Sequence, residues 1–164
     1  SKIFLLEDLF MGADINYSCC FFGHRDTAML DVSKKLKCEI EKLITEKNVK
    51  KFYFGGYGNF DKLAALNTKE LKGIYNILEM IYIPAYLSAL KAHKDYIQTM
   101  FDYTLYPDGL EFVPKKFAIL KRNDWIINQC KYGIFYITHD YGGAYRSFEK
   151  AKRAGMNIIN LAEF

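Results

Sequence analysis

The chain has 164 residues, 51% of them hydrophobic, which is enough for one buried core and too few for two ordinary domains. Its formal net charge of +4 comes with lysines scattered along predicted helix faces, as on a solvated surface, so the sequence argues against nucleic acid as a partner. No apolar run reaches the roughly 18 residues that span a bilayer and no signal-peptide core is present, so we expect a cytoplasmic protein without a membrane partner.

The first fifteen residues fit none of the patterns that follow. We treat 1–15 as an N-terminal arm with no assigned role and 16–164 as a single domain. The domain begins with an apolar strand at 18–22, in which the adjacent Cys19 and Cys20 would point to opposite faces. Because the four cysteines include no C-x-x-C pair, neither a metal site nor a disulfide framework is predicted.

An amphipathic helix follows the polar turn 23–27 and ends near Asn48. Its apolar residues fall at i, i+4, i+7 and i+8, which is the spacing of one helix face, and they are Leu36, Ile40, Leu43 and Ile44. A second short strand at 51–54 then ends abruptly in the glycine-rich turn 55–59.

The remainder of the chain continues to alternate between helices and strands. The predicted strands are 80–83, 103–106, 132–138 and 157–161, and the predicted helices are 60–77, 87–102, 114–131 and a segment that ends at Ala154. Strands and helices that alternate in this way form right-handed crossovers. The sequence therefore predicts an α/β, Rossmann-like fold with a mainly parallel sheet and helices on both faces.

Three polar or glycine-rich turns follow predicted strands, at 23–27, 55–61 and 138–143. In an open parallel sheet, ligands bind beyond the carboxyl ends of the strands, where the strand order reverses. Glycine lets the backbone approach a phosphate closely, and the start of a helix attracts its negative charge. These turns predict a site for a nucleotide or a nucleotide-derived ligand, which includes signalling molecules of that kind.

The candidate ligand-binding residues come from these turns and from the helix 114–131. On that helix, Arg122 lies at the boundary of an apolar face, from which a long cation either reaches the ligand or extends to water. Glu149 either faces the crevice or pairs with Arg153, four residues on. The predicted ligand-binding set, with no metal and no cofactor, is Gly23, His24, Arg25, Gly55, Gly56, Asp61, Arg122, Asn123, Gly142 and Gly143.

Four motifs in this order resemble the SLOG superfamily, and especially its YpsA-like bacterial branch. The match runs from about residue 18 to 162, nearly the whole chain, and its motifs read CFFGHR at 20–25, FGG at 54–56 with FD at 60–61, AILKRN at 118–123 and GGA at 142–144. The resemblance implies a Rossmann-like fold, a bacterial or phage source and a homodimer. Members of the superfamily include the phosphoribohydrolases known as Lonely Guy, DNA-processing proteins, and sensor domains for nucleotide-derived signals in antiphage defence.

The Lonely Guy enzymes cleave the N-glycosidic bond of nucleoside monophosphates and carry a helical arginine and a later P-G-G-x-G-T-x-x-E motif. Arg122 matches the arginine, and Glu149 stands at the matching spacing after the glycine pair. The sequence departs from the motif where Tyr141 replaces the proline, and where Tyr145 and Arg146 replace the second glycine and the threonine.

The resemblance and the residues leave three functions open. The first is a module that binds or senses a nucleotide-derived ligand. The second is a phosphoribohydrolase in which Glu149 activates water and Arg122 holds the phosphate or the developing charge. The third is a protein-interaction or regulatory module whose pocket is vestigial.

Overall fold

The structure, a computed structural model, describes residues 2–4, 14–24, 29–56 and 58–162. Its strands form one seven-stranded sheet, and every pair of neighbouring strands in it is parallel. In chain order the strands are β1 (Lys2–Phe4), β2 (Ser18–Gly23), β3 (Lys51–Phe54), β4 (Glu79–Tyr82), β5 (Tyr103–Leu105), β6 (Tyr132–Tyr136) and β7 (Asn157–Asn160). Across the sheet their order is β1-β5-β4-β3-β2-β6-β7.

Helices connect these strands and cover both faces of the sheet. They are α1 (Met29–Lys47), α2 (Asn59–Lys72), α3 (Ser88–Ala92), α4 (Lys94–Met100), α5 (Lys115–Asn128) and α6 (Gly143–Arg153), with 3-10 turns at Asp14–Tyr17 and Leu110–Phe112. None of the helices in the described ranges is both long and apolar enough to cross a membrane. The α/β, Rossmann-like fold class is confirmed.

The two larger cores, one on each face of the sheet, follow from the alternation of side chains along β2. Cys19 and Phe21 point into one core with the apolar faces of α1, α2 and α4, whereas Cys20 and Phe22 point into the other with α5 and α6. In a strand with both faces buried, polar residues do not alternate with apolar ones. This is why SCCFF reads as a continuous apolar run. The predicted apolar face of α1 packs as expected, because Leu36 and Ile40 are fully buried.

The order of the strands reverses at β2. From β2 the chain builds β3, β4 and β5 outward on one side, and then returns to place β6 and β7 on the other side. The carboxyl ends of β2 and β6 are therefore adjacent, and this is the position at which open α/β sheets form a crevice.

Several elements differ from their predicted bounds. The predicted helix 87–102 is two helices, α3 and α4, which are separated by His93 with φ of −124° and ψ of 28°. The predicted strand 132–138 ends at Tyr136, because the backbone N–H and C=O of Ile137 pair with the side-chain amide of Asn160 instead of with a strand. Within the arm assigned to 1–15, Lys2–Phe4 forms β1 and pairs with β5 at the edge of the sheet.

Candidate functional site

A cleft of about 440 Å³ opens at the carboxyl ends of β2 and β6, where the strand order reverses. The structure brings most of the predicted site residues together around it, namely Gly23, His24, Gly55, Asp61, Arg122, Asn123, Gly142 and Gly143. The other residues that line the cleft are Phe21, Phe22, Ile119, His139, Tyr141 and Ala144. The cleft therefore lies at the predicted edge of the sheet, and the part that these residues play in binding stays a prediction.

The glycine turn after β3 is packed closely against the protein itself. A Cβ on Gly55 would lie 2.8 Å from Cζ of Arg122, and a Cβ on Gly56 would lie 2.5 Å from Cε2 of Tyr82. Gly56 also has a φ of 70°, in the left-handed region that favours glycine. The carboxylate of Asp61 accepts a hydrogen bond from the backbone N–H of Gly56 and so holds the turn in place.

Arg122 ties the ends of two strands to helix α5. Its side chain is buried, and Nη1 donates to the carbonyl oxygens of Gly55 at 2.8 Å and Ile83 at 2.9 Å. Nε donates to Oδ1 of Asn123 at 2.8 Å, and Nδ2 of Asn123 lies 3.4 Å from Oγ of Ser147 on α6. A buried guanidinium needs such acceptors to offset its desolvation, so Arg122 has a structural role besides lining the cleft.

Three aromatic rings form a stack at the cleft. The rings of His24 and His139 are stacked with their centroids 3.5 Å apart, and the ring of Tyr141 is stacked on His139 at 3.8 Å. Burial lowers the pKa of His24, as does the nearby charge of His139, and a hydrogen bond with the His139 backbone acts in the opposite direction. Tyr141, at the outer end of the stack, is 67% exposed. The stack therefore ends in a phenol ring that is accessible from solvent.

The start of α6 borders the cleft beside this stack. Gly142 precedes the helix with φ of 90°, and a Cβ on Gly142 or Gly143 would meet no atom within 4 Å, so the backbone here is open to a ligand. No side chain caps the helix, which leaves its first N–H groups without an intrahelical acceptor and gives this end a partial positive charge. Arg146 is exposed on the first turns of the same helix.

The structure does not bring Glu149 to the cleft. Its carboxylate pairs with Lys152 on α6, with Oε1 3.1 Å from Nζ, and a hydrogen bond from this lysine is the main reason that the pKa of Glu149 is lowered. A carboxylate outside the cleft with a lowered pKa is poorly suited to activate water there. Of the other predicted residues, Gly56 lines a neighbouring pocket, and Arg25 lies outside the described residues.

His139 and Tyr141 line the cleft and lie in the predicted turn 138–143, but neither side chain was in the predicted ligand-binding set. The motif comparison treats Tyr141 only as a replacement for a proline, and assigns His139 no role. A signal was present in the sequence, because both residues directly follow the most apolar strand, and this places them at the carboxyl edge of the sheet. Their stacking with His24 depends on the β2–β6 pairing, which connects residues more than 100 positions apart.

Comparisons with known proteins relate the chain to solved structures only. No protein-family model matches the sequence, and a search of curated proteins gave no significant match. The fold is similar to that of DNA processing protein A (DprA) from Streptococcus pneumoniae, with a TM-score of 0.62, 19% identity, and coverage of 90% of this chain and 50% of that one. It is also similar to DprA from Helicobacter pylori, described for its single-stranded DNA binding mode, with a TM-score of 0.63, 17% identity, and coverage of 92% and 67%.

These likenesses correct the functional predictions. A protein of this fold binds single-stranded DNA, so the argument from scattered lysines against a nucleic-acid partner is wrong. The same finding overturns the prediction of a small nucleotide-derived ligand and its two alternatives, the phosphoribohydrolase and the interaction module with a vestigial pocket. This chain spans half the length of the Streptococcus protein. Its Rossmann-like fold is similar to that of these two DprA proteins, and this likeness fits the resemblance of its motifs to the SLOG superfamily.

Proposed function

We propose that this chain binds single-stranded DNA at the carboxyl edge of its sheet, with a base stacked on Tyr141. The observation that carries the proposal is the stack of His24, His139 and Tyr141, which ends in an exposed ring. Proteins that bind single strands offer aromatic rings to successive bases, and each base is worth about 1–3 kcal/mol by alanine substitution. The fold likeness to the Helicobacter protein supports the same ligand.

Helix α6 supplies the groups that a phosphate needs. The backbone at Gly142 and Gly143 is open, and these residues line the cleft, so the free N–H groups at the start of the helix lie at its border. The helix has four basic residues, Arg146, Lys150, Lys152 and Arg153, and one acidic residue, Glu149. Lys150 and Lys152 are engaged with Asp124 and Glu149, and Arg146 forms no ion pair with any side chain in the described ranges. Arg146 is therefore the cation we assign to the phosphate.

An unpaired strand fits this site better than a duplex. The stack can be extended only by a base whose face is free, and in a duplex both faces of an internal base are covered by its neighbours. Every base has such a face, so stacking tolerates many sequences. We therefore expect a preference for single strands with weak dependence on sequence.

The sheet also bears on the domain organisation of the chain. We propose that 16–164 is a single domain and that β1, from the segment 1–15, extends its sheet. The four motifs support placement in the YpsA-like branch of the SLOG superfamily.

The proposal is tested by fluorescence anisotropy with a labelled oligothymidine of about 30 nucleotides. We expect saturable binding that weakens as salt rises and that unlabelled single strands compete away better than duplex DNA. Absence of binding at low salt would overturn the proposal.

A variant pair locates the binding site. Tyr141→Ala should weaken binding by roughly 5- to 150-fold, and Tyr141→Phe should keep most of it. Tyr17→Ala is the matched control, because Tyr17 is an exposed aromatic residue just before β2, at the opposite edge of the sheet. Equal losses for Tyr141→Ala and Tyr17→Ala would place binding elsewhere.

A further inference from the structure

A second pocket, of about 420 Å³, lies beside the cleft on the other side of the glycine turn. It is formed by the loop after β3, the end of β4 and the starts of α2 and α4. Its lining residues are Gly56, Gly58, Lys62, Tyr82, His93, Tyr96 and Ile97. Gly55 lines the cleft and Gly56 lines the second pocket. The two cavities therefore meet at a pair of adjacent residues that have no side chains.

The second pocket has aromatic walls. The ring of Tyr82 is stacked on Phe101 with centroids 5.2 Å apart, and the ring of Tyr96 stands edge-on to the same phenylalanine at 5.9 Å. Tyr82 is buried, whereas 38% of Tyr96 is exposed. Burial raises the pKa of both phenols, and the charge of Asp61 acts in the same direction, so the hydroxyl groups are protonated donors at neutral pH. The pocket thus offers one accessible ring and two hydrogen-bond donors.

Basic side chains line the same pocket. Lys62 is exposed on the first turn of α2 and forms no salt bridge with any side chain in the part of the chain that the structure describes. His93 is exposed at the break between α3 and α4. A ring, donors and a cation in one pocket are the groups that recognise a nucleobase together with its phosphate.

We propose that the second pocket holds another base of the same bound strand, which crosses the Gly55–Gly56 turn between its two sites. One base stacks on Tyr141 in the cleft, a neighbouring part of the strand places a base against Tyr96, and Lys62 neutralises a phosphate between them. This inference rests on the proposed function. A strand can reach both sites at this turn, because Gly55 lines the cleft and the adjacent Gly56 lines the second pocket.

The test measures affinity against oligomer length by anisotropy, with thymidine oligomers of about 2 to 20 nucleotides. For the wild type, affinity should rise in a step once the oligomer reaches both sites. Tyr96→Ala should lower the affinity of the long oligomers by roughly 5- to 150-fold and leave that of the shortest unchanged, and Tyr96→Phe should preserve the step. Tyr141→Ala should weaken oligomers of every length.

Lys62→Gln is a second, surface variant that leaves the aromatic packing intact. It should reduce the slope of log affinity against log salt by about one for the long oligomers and leave the slope for the shortest oligomers unchanged. The inference is overturned if the long oligomers bind Tyr96→Ala and Lys62→Gln as tightly as the wild type, or if either variant weakens all lengths equally. In both cases, a loss of DNA affinity in Tyr141→Ala would still support the proposed function. If the wild-type chain binds no oligomer, the proposed function itself fails.

Discussion

The imidazole of His24 lies face to face with that of His139, although the two residues are separated by most of the chain. The pairing follows from the sheet, because β2 and β6 are parallel neighbours in a register that sets Gly23 opposite Tyr136. The backbone N–H of His24 also donates to the carbonyl of Tyr136 at 3.3 Å. Two strands that end side by side thus bring together His24, directly after β2, and His139, three residues after the end of β6.

This contact makes stability depend on pH. The pKa of His24 is lowered in the folded state, first by burial and then by His139, so the unfolded chain binds a proton at a higher pH than the folded chain does. The free energy of unfolding should therefore fall as the pH drops below about 6.5, and level off below the folded-state pKa.

Urea titrations at neutral pH and at a pH about one unit below 6.5 measure this change in the free energy of unfolding. His24→Phe retains a ring without a titrating group and should flatten the difference. His93→Gln, at an exposed site, is the control that should keep it. An unchanged pH dependence in His24→Phe would remove His24 as its source.

Gly56→Ala should destabilise the fold by about 2–4 kcal/mol. The methyl group would clash with the ring of Tyr82, and the backbone there has positive φ. Gly109→Ala separates these causes, since Gly109 has φ of 79° but open space around its Cβ, and should cost about 1 kcal/mol. Chemical denaturation measures both values, and similar costs would show that packing on Tyr82 contributes little.

Arg122→Met should cost about 3 kcal/mol of stability. The substitution removes the donors for the carbonyls of Gly55 and Ile83. Buried acceptors without partners lower the free energy of unfolding. Lys121→Met, on an exposed position of the same helix, should stay within about 0.5 kcal/mol of the wild type. If Arg122→Met keeps wild-type stability and loses DNA binding, Arg122 acts on the ligand and not as a tie between strands.

Arg146→Gln should weaken DNA binding and reduce the salt slope by about one, because one phosphate contact is lost. The matched control is Arg153→Gln, since Arg153 ends the same helix at the opposite edge of the sheet. Anisotropy over a series of salt concentrations gives both slopes. A smaller slope in Arg153→Gln than in Arg146→Gln would contradict the assignment.

Much of the fold was predictable because its cause is local. The apolar run at 18–22 and the spacing of Leu36 and Ile40 specify a buried strand and a helix face without reference to the rest of the chain. The break at His93 was not predictable in this way, because the residues around it have ordinary helical character and packing decides where the helix divides. β1 was missed for a related reason, since three residues carry too little pattern to indicate a strand.

In the candidate site, too, the features with a local cause were predictable and those that depend on long-range contacts were not. The glycines at 55–56 and 142–143 mark turns after strands, and this local signal located the cleft. Long-range contacts determine what each side chain does there. Arg122 is held by carbonyls of Gly55 and Ile83, which directly follow β3 and β4. His139 meets His24 only after β6 pairs with β2. The pattern of lysines, read as uniform solvation, did not single out Arg146, which is exposed near the start of the helix that follows the glycine pair.

The side-chain amide of Asn160, on β7, pairs with the backbone of Ile137 just before the residues of β6's loop that line the cleft. Its Oδ1 accepts from the backbone N–H of Ile137 at 3.0 Å, and its Nδ2 donates to the carbonyl of the same residue at 3.2 Å. The side chain thus mimics one rung of a ladder and stops the pairing there, so that the chain turns away from the sheet toward His139 and Tyr141. A single carboxamide on the neighbouring strand thus occupies the backbone of Ile137, two residues before the ring of His139 joins the stack.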